Sequence, residues 1–103
     1  MDIQPWIKMA NCIFELEKKL PPTDGSPATK RILDKMKNIL EANGLQILNP
    51  IGEPFSETRT DVEATLTSDK TSKLLITEVL KPVIYTSEDG RKLLVQKAVV
   101  LVG

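Results

Sequence analysis

The sequence predicts an α+β fold, with a helical hairpin at the start of the chain and a small, mainly antiparallel β domain after it. Three observations support this class. Apolar residues recur every three or four positions over the first 43 residues, whereas they alternate or run continuously after residue 44. Turn-forming residues separate the two halves, and β-branched residues are concentrated in the second half. We therefore predict a helical domain over residues 1–44 and a β domain over residues 45–103.

The first predicted helix runs from about Ile3 to Leu20. Asp2 is placed to accept a hydrogen bond from a free N–H group of the first turn, where Pro5 is also tolerated. One side of this helix is an apolar seam with spacings of three and four residues, formed by Trp6, Met9, Ile13, Leu16 and Leu20. Such a seam is covered either by the core of its own chain or by the helices of a second copy.

The second predicted helix follows a loop at residues 21–25, where two prolines and an Asp-Gly pair exclude a helix. Ser26 is its N-cap candidate and Pro27 suits its first position, while the pair Asn43-Gly44 ends it. Its apolar positions also recur at helical spacing, at Ile32, Leu33, Met36, Ile39 and Leu40. The short loop predicts that the two helices form an antiparallel hairpin.

Strands are predicted in the second half at residues 45–48, 62–67, 74–80, 83–86 and 92–102. The turn residues at 87–90 are typical of a hairpin loop that leads into the last of these strands. The apolar density of that last run predicts a single long strand in a central, well-covered position.

Composition excludes several classes of function. Fourteen basic and fourteen acidic side chains give no net charge, and aromatic residues are few, so nucleic acid is not an expected partner. No apolar run reaches the roughly 18–20 residues of a membrane span, and no export signal is visible, so no membrane association is expected. A single cysteine, Cys12, fits a reducing compartment, and we expect a cytoplasmic protein.

The residues of most catalytic sites are missing. With no histidine, the sequence has neither a Ser-His-Asp triad nor a His-ligated zinc site, and it contains no glycine-rich phosphate-binding motif. Cys12 is next to Ile13 and Phe14, which favours a buried, inert thiol. Four acidic residues lack the spacing of a calcium loop and are interpreted as a solvated acidic connector: Glu53, Glu57, Asp61 and Glu63. We expect no enzyme activity, no cofactor and no metal, and catalysis by Glu and Lys side chains is the least favoured alternative.

One stretch resembles a known family. Residues 40–55, LEANGLQILNPIGEPF, resemble the segment of the GrpE family in which a helix ends and the chain continues as V-x-x-I-x-P-x-G-x-x-F-D-P. Shorter matches are Glu63-Ala64 to the H-E-A-V element, Glu78-Val79-Leu80 to the E-V-L-Q-x-G-Y strand, Gly90-Arg91 with Leu93 to the N-G-R-x-L hairpin, and residues 98–102 to the terminal A-M-V-x-V strand. Residues 5–20 are loosely similar to a family helix, so the resemblance covers about residues 5–103.

GrpE proteins are homodimeric nucleotide exchange factors for DnaK-type chaperones, and the resemblance implies the same function here. It implies a four-helix bundle built from two hairpins, and a β domain that binds the ATPase domain of the chaperone in an open state from which ADP leaves. It implies chaperone contacts at Gly90 and Arg91 in the hairpin and at Val79 and Leu80 in an earlier strand. It also implies a dimer interface at Trp6, Met9, Ile13, Leu16, Ile32, Met36 and Ile39.

Several positions differ from the family pattern. Val62 stands where the family has His, the segment from Phe55 to Glu63 is two residues longer, and the long amino-terminal stalk helix has no counterpart in the 103 residues. The longer loop, and a terminal strand in which Gln96-Lys97 stands for Arg-Pro of the family, favour an alternative function, a GrpE-like binding or scaffold domain that has lost exchange activity. Acceleration of ADP release separates the two hypotheses, because only the exchange factor requires it.

Overall fold

The computed structural model describes residues 2–20, 27–69 and 72–103. Within these ranges, two α-helices come first, α1 (Gln4–Lys19) and α2 (Pro27–Ala42), and six strands follow. The strands are β1 (Leu45–Leu48), β2 (Val62–Leu66), β3 (Ile76–Lys81), β4 (Val83–Glu88), β5 (Arg91–Gln96) and β6 (Ala98–Val102). This order confirms the predicted α+β class. The chain divides into two compact units, Met1–Gln46 and Ile47–Gly103.

Helix α1 begins one residue later than predicted. Its N-cap residue has no side-chain cap, but Asp2 has the predicted role, because its Oδ1 accepts a hydrogen bond of 3.0 Å from the Gln4 N–H. Pro5 lies in the first turn, where an N–H group has no acceptor within the helix, so the missing N–H of proline costs no hydrogen bond. Lys18 and Lys19 lie in the last turn, where positive charge interacts favourably with the helix dipole.

Helix α2 begins at the predicted position, Pro27. At its other end, the Asn43 side chain donates a hydrogen bond of 2.8 Å from Nδ2 to the Ile39 carbonyl. Gly44 follows with a φ of 87°, a left-handed conformation that glycine adopts without steric cost and that commonly ends a helix.

The helices pack through one face of each. The buried side chains are Ile7, Ala10, Ile13 and Phe14 from α1 and Leu33 and Leu40 from α2. Burial of a side chain of the size of Leu, Ile or Phe contributes about 1.5–3 kcal/mol, so these buried side chains stabilise the helical unit. An ion pair between the Lys37 ammonium and the Glu17 carboxylate joins the two helices. The predicted loop at residues 21–25 and the N-cap candidate Ser26 lie outside the described residues.

The described strands form two sheets, with the orders β1-β4-β5 and β2-β6-β3. Strands β4 and β5 form an antiparallel hairpin, in which Glu88 is opposite Arg91 and Tyr85 is opposite Leu94. Strand β6 is antiparallel to β3 and parallel to β2. The predicted mainly antiparallel arrangement is therefore confirmed, and β1 to β4 lie within two residues of their predicted bounds.

The prediction of a single long strand over residues 92–102 is wrong. This run forms two strands, β5 and β6, which belong to different sheets and are separated by Lys97. The run that pairs with it is interrupted in the same way at Pro82, between β3 and β4. Pro82 has no N–H to donate to a sheet, and its carbonyl accepts a hydrogen bond of 2.9 Å from the Gln96 side chain. Both runs therefore pass from one sheet to the other at neighbouring positions, one at Pro82 and the other at Lys97.

The core of the second unit comes mainly from β3, β4 and β6. The side chains that are most completely buried are Ile76, Pro82, Val83, Ile84, Val100 and Val102. Along β6, Ala98, Val100 and Val102 are buried, and the residues between them, Val99 and Leu101, are half-buried. This alternation is expected of a strand with one face on the core.

Candidate functional site

Four large apolar side chains of the helices are exposed to solvent. Met9 and Leu16 on α1 are 53% and 47% exposed, and Ile32 and Ile39 on α2 are each 57% exposed. Within each helix the two residues are seven positions apart, so they lie on one face, beside the face that packs inside the unit. We call these four residues the helical seam.

The other residues predicted at a dimer interface are less accessible. Trp6 and Met36 are half-buried, and Ile13 is only 4% exposed. Ile13 therefore belongs to the core of the helical unit and not to its surface. The prediction of a buried thiol is wrong, because Cys12 is exposed. Successive residues of a helix point about 100° apart, so Cys12 turns away from the buried residues that follow it.

The turn between β4 and β5 forms the second candidate surface. Asp89 and Gly90 have positive φ angles of 50° and 77°. A two-residue hairpin turn requires this left-handed backbone at both positions, and Asp and Gly are among the residues that tolerate it best. Glu88 and Arg91 lie opposite each other beside the turn, and all four residues are exposed. We call residues 88–91 the hairpin tip.

The hairpin tip presents a guanidinium beside an apolar side chain. Residues that pair across antiparallel strands share a face, so Glu88 and Arg91 lie on the same face as Leu93, which is 45% exposed. Together with Asp89 they line a depression of about 420 Å³. Lys92 lies on the opposite face, with its ammonium 5.7 Å from the centre of an aromatic ring of β4. The two cations of β5 therefore face in opposite directions.

Only one of the two β3 residues predicted to contact a partner is accessible. Leu80 is 48% exposed, whereas Val79 is 2% exposed and lies in the core. The interpretation of Val79 as a contact residue is corrected, because a partner could reach it only if the sheet opened. The pairing register with β6 shifts between Ile76 and Glu78, which places Val79 on the buried face, and its neighbour Leu80 points to the opposite face. Leu80, Gly90 and Arg91 remain as surface candidates.

The acidic connector is organised by Arg59, which the sequence analysis did not single out. Its guanidinium donates two hydrogen bonds to Asp61, from Nε to Oδ1 at 3.0 Å and from Nη2 to Oδ2 at 2.9 Å. Its Nη1 lies 3.2 Å from Oε1 of Glu53. Glu57 and Glu63 are exposed, as expected of a solvated connector. An arginine two residues before an aspartate was the sequence signal for this pairing.

Acidification is expected to weaken the connector through Asp61. The hydrogen bonds from Arg59 are the main cause that lowers the pKa of Asp61 below its usual 3.8, while the pKa of Arg59 is raised. Because the folded pKa is the lower one, this stabilisation is present above the unfolded pKa and is lost as the pH falls through the folded value. We expect Asp61→Asn to lower the free energy of unfolding in urea by about 1 kcal/mol at neutral pH and by less near pH 2.

Glu57→Gln is the matched control for this prediction. Its carboxylate is exposed, so its removal should leave stability unchanged at both pH values. If the difference between the wild type and Asp61→Asn does not shrink on acidification, the assignment to an ionised Asp61 is incorrect.

Comparison with known proteins finds no matching family model, curated protein or solved structure. Neither α1 nor α2, the helices of the described chain, has the length and hydropathy that a membrane span requires. Among the residues that the structure describes, no group of three or more His, Cys, Asp or Glu side chains is arranged to hold a metal ion. Two exposed surfaces are the candidate functional features, the helical seam and the hairpin tip.

Proposed function

We propose that this chain is a homodimeric, GrpE-like co-chaperone that promotes ADP release from a DnaK-type chaperone in the cytoplasm. The observation that carries the proposal is the hairpin tip, where Arg91 is exposed beside Leu93. The resemblance to GrpE assigns chaperone contact to this arginine. An arginine next to apolar surface is also the composition that dominates the binding energy of many protein interfaces.

Exchange of this kind requires binding and no catalytic group. The hairpin tip must bind the ATPase domain more tightly when the nucleotide cleft of that domain is open. A partner with equal affinity for the open and closed states does not shift the equilibrium between them. By linkage, this protein lowers the affinity of the chaperone for ADP by a certain factor, and bound ADP lowers the affinity of the chaperone for this protein by the same factor. A hundredfold effect corresponds to a coupling free energy of about 2.7 kcal/mol.

The helical seam supports the dimer in this proposal. In a single chain, Met9, Leu16, Ile32 and Ile39 each leave about half of their surface in water. Covering the exposed half contributes about 1 kcal/mol per side chain. A two-fold interface contains each residue twice, so the seam contributes on the order of 8 kcal/mol before the cost of association. A four-helix bundle of two copies would cover this surface.

Release of labelled ADP tests the exchange function directly. A DnaK-type chaperone loaded with fluorescent ADP is mixed in a stopped-flow instrument with excess unlabelled nucleotide and increasing amounts of this protein. We expect the release rate to rise and then saturate. No acceleration at saturating protein removes the exchange function, and binding to the chaperone without acceleration supports the alternative of a binding domain that has lost exchange.

Arg91→Ala is expected to weaken the acceleration about tenfold at sub-saturating concentrations, because an interfacial arginine contributes about 1–2 kcal/mol or more. The side chain is exposed at the tip, so the fold should be retained. Lys92→Ala is the matched control, because it removes the same charge one residue away but from the opposite face of the hairpin. Equal losses in both variants would indicate a general charge effect, and an unchanged rate in Arg91→Ala would exclude this residue from the site.

A further inference from the structure

The two edge strands of the sheet β2-β6-β3 differ in regularity. In the sheet order β2-β6-β3, β2 is an edge strand, and residues 63–66 are exposed. Its register with β6 is regular from Val62 opposite Ala98 to Leu66 opposite Val102. The other edge strand, β3, has two register shifts, which are irregularities that protect an edge against pairing with a further strand. Strand β2, described over its full length, has none.

The backbone groups of β2 alternate in direction between β6 and the outer side of the sheet. The Asp61 carbonyl accepts a hydrogen bond of 2.9 Å from the Ala98 N–H. The Thr67 N–H donates a hydrogen bond of 2.9 Å to the Val102 carbonyl. Odd-numbered residues of this segment therefore point their backbone groups toward β6, and even-numbered residues point theirs outward. The exposed residues whose N–H and C=O groups have no partner among the described residues are Ala64 and Leu66.

The two faces of β2 differ in chemistry. Ala64 and Leu66 lie on the face where their partners on β6 are buried, yet Leu66 is 58% exposed. Apolar surface therefore continues to the edge without a cover. Glu63 and Thr65 lie on the opposite face and are exposed. A strand added at this edge would meet apolar side chains on one face and a carboxylate on the other.

The charge around this edge decides between its partners. Strand β2 carries one charged side chain, the exposed carboxylate of Glu63, and the Asp61 carboxylate just before the strand is paired with Arg59. Antiparallel pairing of the β2 edges of two copies would place both Glu63 carboxylates on one face of the joined sheet, where they repel each other. The same charges favour a basic segment.

We propose that the edge of β2 binds an extended peptide segment as an added antiparallel strand, with its apolar side chains beside Leu66 and its Lys or Arg side chains beside Glu63. Antiparallel pairing is slightly more stable per residue than parallel pairing. Directly opposite residues of antiparallel strands share a face, so the peptide residues that bond to Ala64 and Leu66 are the apolar ones. This site is separate from the hairpin tip and requires no second copy.

A capped peptide, Lys-Val-Lys-Val-Lys-Val, is the probe, and its binding is measured by fluorescence anisotropy. N-methylation of the valine amides removes the donors that bond to β2 and is expected to raise the Kd at least about tenfold. N-methylation of the lysine amides removes donors that point to solvent, so the Kd should stay within about twofold. Equal effects of the two modifications, or no effect of either, would overturn the proposal.

Ala64→Pro tests the same site from the side of the protein. The Ala64 N–H points outward, so proline removes a free donor and leaves the hydrogen bonds to β6 intact. We expect about tenfold weaker peptide binding with an unchanged melting temperature, whereas Ala64→Val, which keeps the N–H, should bind as the wild type does. Unchanged binding in Ala64→Pro would show that the edge is not the site. If sedimentation instead reveals assemblies larger than a dimer that Ala64→Pro abolishes, and no peptide binds, the edge joins copies of this chain and the peptide proposal is wrong.

Discussion

Replacing Ile32 and Ile39 together with Glu is expected to dissociate the proposed dimer into monomers. Sedimentation equilibrium at micromolar concentration should give twice the chain mass for the wild type and a mass near 11.5 kDa for the double variant. Both side chains are 57% exposed in the single chain, so the substitution should leave the helical unit folded, which circular dichroism can verify.

The expected size of this effect follows from the symmetry of the interface. Each isoleucine loses the burial of about half of its side chain, which contributes about 1 kcal/mol. A two-fold interface contains both residues twice, so about 4 kcal/mol is lost and the Kd of the dimer rises about a thousandfold. An uncompensated carboxylate in an apolar interface weakens association further.

Arg31→Glu with Asn38→Glu is the matched control for the helical seam. These two exposed positions are also seven residues apart, but they lie on the opposite side of α2 from its buried residues. We expect this variant to remain a dimer. A monomeric wild type, or a dimer that survives Glu at both Ile32 and Ile39, would contradict the proposed interface.

The helix ends could be predicted because their causes act within a few residues. Pro27 begins α2 because a first-turn residue needs no N–H donor, and Gly44 follows its end because glycine adopts the left-handed backbone. The separation of β5 from β6 could not be predicted in this way. Both strands continue one apolar run, and only their pairing with the opposite run shows that each half belongs to a different sheet. Pro82 on that opposite run was the available local signal.

The accessibility of site residues depends on contacts that periodicity does not specify. An apolar stripe on a helix predicts that part of it is covered, but the packing of the second helix decides that Ile13 is buried while Met9 and Leu16 are exposed. In the same way, Val79 and Leu80 are neighbours in a strand and point to opposite faces, and the register shift between Ile76 and Glu78 decides which of them faces the core. The hairpin tip was predictable, because an Asp-Gly turn fixes its own geometry.

Ile84→Ala is expected to unfold the second unit, Ile47–Gly103, at room temperature. Ile84 is completely buried at the level where the chain passes between the two sheets, opposite Gln96. Removing the larger side chain leaves a cavity and costs about 2–5 kcal/mol. A unit of this size has a total stability of only a few kcal/mol, so the loss is comparable to the whole. Urea denaturation followed by circular dichroism measures the change.

Leu94→Ala separates the effect of burial from the effect of sequence position. Leu94 lies on the same hairpin but is 38% exposed, so the same chemical change should cost only about 1–2 kcal/mol. Unfolding by Ile84→Ala would also remove the hairpin tip as an ordered surface, because the stem that positions the turn is lost. The proposed exchange activity should then fall further than in Arg91→Ala, in which the stem is intact. Similar losses of stability in Ile84→Ala and Leu94→Ala would contradict the assignment of Ile84 to the core that holds both sheets.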